Sequence, residues 1–290
     1  RWVEPQRLLM LTPSGSMWMK SVWALKRPYN SGAVALAALQ EGVIDTSTQF
    51  RCGYTYYNAD MPDFHPLCMG THGYLNVIEA LTVSCNIFFY DTGYNLGIDN
   101  MNLYQRKRGL GELTGVEIYE SDGTLAGPDE KEDWYGGDTI MAAIGQSDNL
   151  ITPVQLATYA ATIANNGTRL RTHVVDKITD YSRQTVLEET KPEVVEENIF
   201  DQEVLETVKG AMRNVVTSPS GTAYYSYGSY EIAIAAKTGT AQTYLPNSNE
   251  YDVDNITLIA YAPYDDPQIA IGIIMEHGGK SVYAANVAKA

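Results

Sequence analysis

Strand-like apolar runs stand at both ends of this chain, and helical patterns fill the space between them. Near the start, Leu8-Leu9-Met10-Leu11-Thr12, the turn Pro13-Ser14-Gly15-Ser16 and a second run over 17–23 read as a hairpin. At the other end, residues 231–237, 257–262 and 268–275 alternate with the period of strands, the last two joined by Pro263-Tyr264-Asp265-Asp266-Pro267. This order closes one sheet from the two chain ends and inserts the helices between. The expected class is therefore α+β: an antiparallel sheet flanked by helices, with an inserted all-helical subdomain, rather than alternating β/α units.

The middle supplies the helices. Residues 33–41 form an Ala/Leu-rich helix, and 76–96 a second apolar helix that contains Ser84 and Asn86 and is punctuated by Gly93 and Gly97. The segment 121–137 is rich in Gly, Asp and Glu without periodicity, and reads as a surface excursion. Thr152-Pro153 opens a helix to Asn165, because proline fits the first helical position, where its missing N–H costs nothing; Asn166-Gly167 closes it. A hairpin over 174–187, an amphipathic helix over 202–216 and a Ser/Pro/Gly break over 217–221 follow.

With 44% apolar and 19% charged residues among 290, the chain has the composition of a folded domain. Its net charge of −15 excludes a nucleic acid or an anionic lipid surface as the main partner, since both demand clustered Lys and Arg. No apolar run reaches the roughly 18 residues of a membrane span, and Arg1-Trp2-Val3-Glu4-Pro5 lacks the layout of a signal peptide. Any anchor or export signal is expected outside this sequence.

Two short patterns carry chemistry. Lys237-Thr238-Gly239-Thr240 ends an apolar strand, with a cation and two hydroxyls around a residue that lets a ligand backbone approach. Ser84-Cys85-Asn86 sets a hydroxyl and an amide two residues apart, suited to relaying a proton and orienting a polar group. Alone, the first reads more simply as an ordinary strand end and the second as polar residues at a helix bend.

Together and in this order they resemble the S-x-N and K-T-G elements of the serine-active penicillin-binding family. The resemblance extends to Gly70-Thr71-His72-Gly73, to residues 84–97, to Ile144-Gly145-Gln146, to Thr152-Pro153-Val154-Gln155-Leu156-Ala157 and to Glu276-His277-Gly278-Gly279 before a terminal helix. The whole chain, 1–290, looks like the transpeptidase domain of a class B penicillin-binding protein of the elongation type. Its expected parts are a first hairpin and following segment (1–30), a mainly helical part (31–170) and the sheet with its flanking helices (171–290).

The resemblance implies a peptidoglycan D,D-transpeptidase that cross-links stem peptides through an acyl-enzyme and is inhibited by β-lactams. It would work among cell-wall synthesis membrane proteins, at the extracytoplasmic face of a bacterial membrane, with an N-terminal anchor and pedestal that are not in this sequence. Ser84 would serve the proton relay and Asn86 the substrate amide. Lys237, Thr238, Gly239 and Thr240 would bind the substrate carboxylate, and the Ala241 N–H would serve the oxyanion. A hydrolase on the same fold, or an inactive sensor or scaffold, is the alternative.

The family's S-x-x-K nucleophile has no match, as no Ser in the first 100 residues has Lys three positions later. Counting back from Ala37-Ala38-Leu39-Gln40-Glu41-Gly42, which matches the end of the family's nucleophile helix, puts Pro28 at the Ser position and Ser31 at the Lys position. Pro28-Tyr29-Asn30 resembles a segment that precedes the nucleophile by a few tens of residues, so a missing segment between residues 30 and 31 is expected. The alternatives are an inactive homologue, or Ser31 or Ser16 acting instead. Ser31 has Val34 where a base is needed, and the surroundings of Ser16 read as strand.

Cys52, Cys68 and Cys85 are an odd set, compatible with a disulfide and a spare thiol, three thiols, or a metal site. Three thiolates with His72 make a closed zinc set. The resemblance favours zinc over a Cys52–Cys68 disulfide: some elongation-type relatives carry a zinc beside the active site, and His72 and Cys85 match two of its ligands. His65, His173 and His277 are read as surface or structural residues.

Overall fold

The computed structural model describes residues 7–11, 25–26, 31–242 and 253–289. In chain order they form β1 (Arg7–Leu11), β2 (Leu25–Lys26), α1 (Ser31–Gln40), β3 (Phe50–Cys52), β4 (Gly73–Leu75), α2 (Val77–Val83), α3 (Asn86–Leu96), α4 (Ile98–Lys107), α5 (Gly136–Ala143), β5 (Leu150–Ile151) and α6 (Pro153–Ala164). They continue with β6 (Arg169–Leu170), β7 (Lys177–Thr179), β8 (Val186–Glu189), β9 (Val194–Glu196), α7 (Gln202–Thr217), α8 (Tyr224–Tyr227), β10 (Ala235–Ala241), β11 (Asn255–Ala262), β12 (Ile269–Met275) and α9 (Ser281–Lys289).

The main sheet has the order β1-β12-β11-β10, so both chain ends do build it. Strands β10, β11 and β12 form an antiparallel meander in which Lys237 faces Ile259 and Ala260 faces Ile271. Strand β1 departs from the expectation: it joins β12 in parallel, from Arg7 opposite Ile269 to Leu11 opposite Ile273. Apolar alternation fixes which face of a strand is buried and is silent on its direction. The second strand of the expected first hairpin, over 17–23, Ser16 and the junction at residue 30 lie outside the described residues.

Helices α6 and α7 pack on one face of the sheet and α9 on the other. The approach of α6 is close enough that a Cβ on Gly272 of β12 would stand 2.5 Å from the Ala157 nitrogen. Against α7 lies α1, whose residues from Gly32 to Ala38 are all buried. Such a helix, apolar on every side, requires neighbours all round, and α2, α3, α4 and α7 supply them. The hidden Arg108 pins its start, donating from Nη1 to the Ala33 carbonyl at 3.1 Å.

Two elements differ from the sequence reading in ways that matter to the site. The single helix expected over 76–96 is two helices, α2 and α3, broken at Ser84-Cys85. The strand expected over 231–237 is displaced to 235–241, so the K-T-G residues lie within β10 and not at its end; pairing with β11, Ala235 opposite Tyr261, sets this register. Helix α6 begins at Pro153 under a Thr152 cap whose hydroxyl accepts from Gln155 N–H, as expected. The hairpin of β7 and β8 turns near Asp180. No described helix is long and apolar enough to cross a membrane.

Candidate active site

The break between α2 and α3 creates the site. Ser84 ends α2 in the left-handed conformation, φ 57° and ψ 49°, and the Cys85 N–H reaches back to the Ala80 carbonyl at 2.9 Å. This closure satisfies a carbonyl at the end of α2 at the cost of a conformation that residues other than glycine seldom adopt. Cys85 then stands at the N-cap of α3, and Asn86 begins it.

Across from this turn, Lys237 extends from β10. Its Nζ donates to Ser84 Oγ at 2.6 Å and to the Thr238 carbonyl at 2.7 Å. Burial leaves Lys237 only 4% exposed and pulls its pKa down to about 7, because a desolvated ammonium is costly. An amine so poised takes and returns a proton near neutral pH, with the Ser84 hydroxyl as its neighbour in the relay.

Between the two walls lies a cleft of about 580 Å³, lined by Ser84, Asn86, Thr238, Gly239 and Thr240, with Ser31 and Ser281 at the first turns of α1 and α9. Thr222 was not singled out from the sequence, which read only a break after the helix over 202–216. Its hydroxyl meets that of Thr238 at 2.7 Å and its N–H reaches the Thr82 carbonyl at 3.4 Å. It therefore bridges the last turn of α2 and the K-T-G strand alongside the Lys237–Ser84 contact. The backbone before it is tightly seated: a Cβ on Gly221 would stand 2.3 Å from the Val215 carbonyl oxygen. Ala241 closes β10 opposite Asn255. Asn86 donates to the Leu67 carbonyl at 3.3 Å, as does the Tyr90 hydroxyl.

Directly behind Ser84, the donor atoms of Cys52, Cys68, His72 and Cys85 lie within 4.8 Å of one another. His72 Nδ1 is 3.4 Å from Cys52 Sγ and 3.5 Å from Cys68 Sγ, and Cys68 and Cys85 Sγ are 3.9 Å apart. All three cysteines are free, so the Cys52–Cys68 disulfide weighed from sequence does not form. A hydrogen bond from Cys85 holds Cys68 well below the usual thiol range, helped by the N–H groups of Gly70, Ile87 and Asn86. The spacings suit a closed tetrahedral zinc site, whose ligand atoms stand about 3.5–3.8 Å apart when metal bonds are about 2.0–2.3 Å. Of the three remaining histidines, His65 lies tilted against the Tyr57 ring and His173 bonds the Val175 carbonyl.

The sequence profile of the penicillin binding protein transpeptidase domain matches residues 32–290, and the chain belongs to that family. It is 31% identical over 270 residues to the peptidoglycan D,D-transpeptidase MrdA of Escherichia coli K12, covering 87% of this chain and 42% of that protein. The chain thus spans less than half the length of that relative. In structure it is similar to Pseudomonas aeruginosa PBP2 in complex with WCK 5153, with TM-score 0.78, 26% identity and coverage of 92% of this chain and 60% of the other. It is also similar to Helicobacter pylori PBP2 in its complex with MreC, with TM-score 0.75, 25% identity and coverage of 90% and 48%.

Proposed function

We propose that this chain is the transpeptidase domain of a class B penicillin-binding protein, a serine D,D-transpeptidase that cross-links peptidoglycan stem peptides and is acylated by β-lactams. The observation that carries the reading is the 2.6 Å contact from Lys237 Nζ to Ser84 Oγ, which joins the K-T-G strand to the S-x-N turn across the cleft. In this reading a serine hydroxyl adds to the D-Ala-D-Ala carbonyl and D-Ala leaves with a proton delivered through Ser84. An amine of a second stem peptide then displaces the serine. Thr238 and Thr240 hold the terminal carboxylate beside the Lys237 charge, Asn86 orients the amide, and the Ala241 N–H faces the developing oxyanion.

A second reading rests on one observation: the S-x-x-K pair is absent from the sequence, and Ser31 opens α1 with Val34, not Lys, three positions on. The fold would then bind carboxylate ligands without turning them over. Intact-mass analysis after incubation with benzylpenicillin separates the two. A covalent adduct, mapped by peptide digestion to its serine, supports the transpeptidase. A clean absence of adduct rejects it in favour of the receptor.

Zinc held by Cys52, Cys68, His72 and Cys85 completes the proposal. Its part is structural: a metal bound to Cys85 fixes the turn that presents Ser84 and Asn86. The likeness to the PBP2 of Helicobacter pylori, found in complex with MreC, supports a place in a complex with partner proteins.

A further inference from the structure

The three thiols behind Ser84 are not placed alike. Cys68 lies on the wall of the cleft, beside Leu67, Ser84 and Asn86. Cys85 is fully buried, and its Sγ stands 3.9 Å inward of the Cys68 sulfur with no disulfide between them. A small solute that enters the cleft therefore meets Cys68 before Cys85. Cys52 is occupied elsewhere, its Sγ donating to the Gly70 carbonyl at 3.3 Å and lying 3.4 Å from His72 Nδ1. The pair is also held in place by its backbone: the Cys68 N–H donates to the Tyr54 carbonyl at 2.8 Å and the Cys85 N–H to the Ala80 carbonyl at 2.9 Å. An outer thiol with a second thiol directly behind it is the arrangement in which oxidation ends in a reversible disulfide, because the inner sulfur captures the sulfenic acid.

We infer that Cys68 and Cys85 form an oxidation site for a hydroperoxide, with Cys68 attacking and Cys85 resolving. The Cys68 sulfur attacks one peroxide oxygen, the O–O bond breaks, and the departing hydroxide takes up the thiol proton as water. Cys68 is then a sulfenic acid. Cys85 Sγ displaces the hydroxyl from that sulfur, the S–S bond forms, and the hydroxyl leaves as a second water with the Cys85 proton. Two thiols have lost two electrons and the peroxide has gained them. Closing 3.9 Å to a bond of about 2.05 Å draws on Cys85, the N-cap of α3, and thereby on Ser84 next to it, whose Oγ stands 2.6 Å from Lys237 Nζ. It also removes two of the four donors from the metal cluster, since thiolates and not disulfide sulfurs ligate zinc. The loss of ligand binding on oxidation rests on the carboxylate-binding reading of the cleft; the thiol pair itself does not.

Hydrogen peroxide added to the whole chain tests the pair, read by intact mass after alkylation of the thiols that remain. One disulfide is expected, placed between Cys68 and Cys85 by peptide mapping, with Cys52 alkylated and the bond reversed by a reductant. Cys68→Asp and Cys52→Asp each keep an oxygen ligand for the metal cluster; the first should abolish the cross-link and the second preserve it. A bond that includes Cys52, oxidation of Cys68 beyond sulfenic acid with no bond, or thiols untouched by peroxide overturns the inference. Zinc should pass to a chromophoric chelator in step with the cross-link, while a zinc-free chain that still forms the bond keeps the pair and removes only the metal. The oxidised chain should bind acetyl-D-Ala-D-Ala about tenfold more weakly than the reduced chain, the scale of one lost hydrogen bond to a charged group. Equal affinity overturns the link to Ser84. A reduced chain that binds none of it removes the carboxylate-binding reading and leaves the thiol pair standing.

Discussion

Lys237 concentrates the chemistry of the cleft in one side chain. Its pKa near 7 lies below the roughly 10.4 of a lysine in an unfolded chain. Between those values the unfolded chain binds the extra proton, so stability gains a contribution that rises with pH across about 7–10. Denaturant titrations at pH 7 and 9.5 should show the unsubstituted chain gaining on Lys237→Met over this interval. An unchanged gap would refute the shift. Carboxylate binding runs the other way, because the cation is lost above about pH 7. Under the proposed function, affinity for acetyl-D-Ala-D-Ala should fall toward tenfold per pH unit there, checked by calorimetric titration of that ligand at several pH values.

At the scale of elements, the close seat of α6 on β12 holds the sheet against the helical part. Gly272→Ala would place a Cβ 2.5 Å from the backbone nitrogen of Ala157 and 2.9 Å from the Leu156 carbonyl carbon. Backbone cannot swing aside as a long side chain does. The substitution should therefore cost about 1–3 kcal/mol and lower the unfolding temperature by several degrees, read by calorimetry. The same scale shows what sequence patterns convey. Helix α6 was legible at both ends because Thr152-Pro153 and Asn166-Gly167 are local signals that need no tertiary contact. The division of α2 from α3 was not, because every residue around Ser84 and Cys85 is compatible with helix. The left-handed turn depends on contacts made far away, with Lys237 among them. The displacement of β10 has a similar origin, since its register belongs to its pairing with β11.

At the scale of the whole molecule, the two signature motifs were readable from sequence, but their meeting required the fold. Ser84 and Lys237 are separated by 153 positions, and only the packing of α2 and α7 beside β10 brings them together. The cysteines follow the same logic. An odd count allowed several pairings, while the fold draws all three thiols and His72 into one cluster. Elemental analysis of purified chain should find about one zinc per molecule, and a strong chelator should lower the unfolding temperature, since a metal that binds only the folded state stabilises it. Cys85→Ala should abolish both effects. Zinc-free preparations indifferent to the chelator would remove the metal from the account. Thr222 was invisible beforehand because it belongs to no motif; it is defined only by what it touches.

Strand β10 is the last in the sheet, paired with β11 alone among the described strands. An open edge of this kind accepts any extended chain, including another copy of the same protein, and so carries a standing hazard of aggregation. Under the proposed function, covering it permanently would block the track along which a substrate backbone would approach Gly239. The protection has to be reversible, and mutual repulsion of molecules carrying a net charge of −15 provides it without obstructing the cleft. The acidity that first served to exclude nucleic acid as a partner thus acts as a colloidal safeguard for the proposed active site, whose β10 edge has no second partner among the described strands.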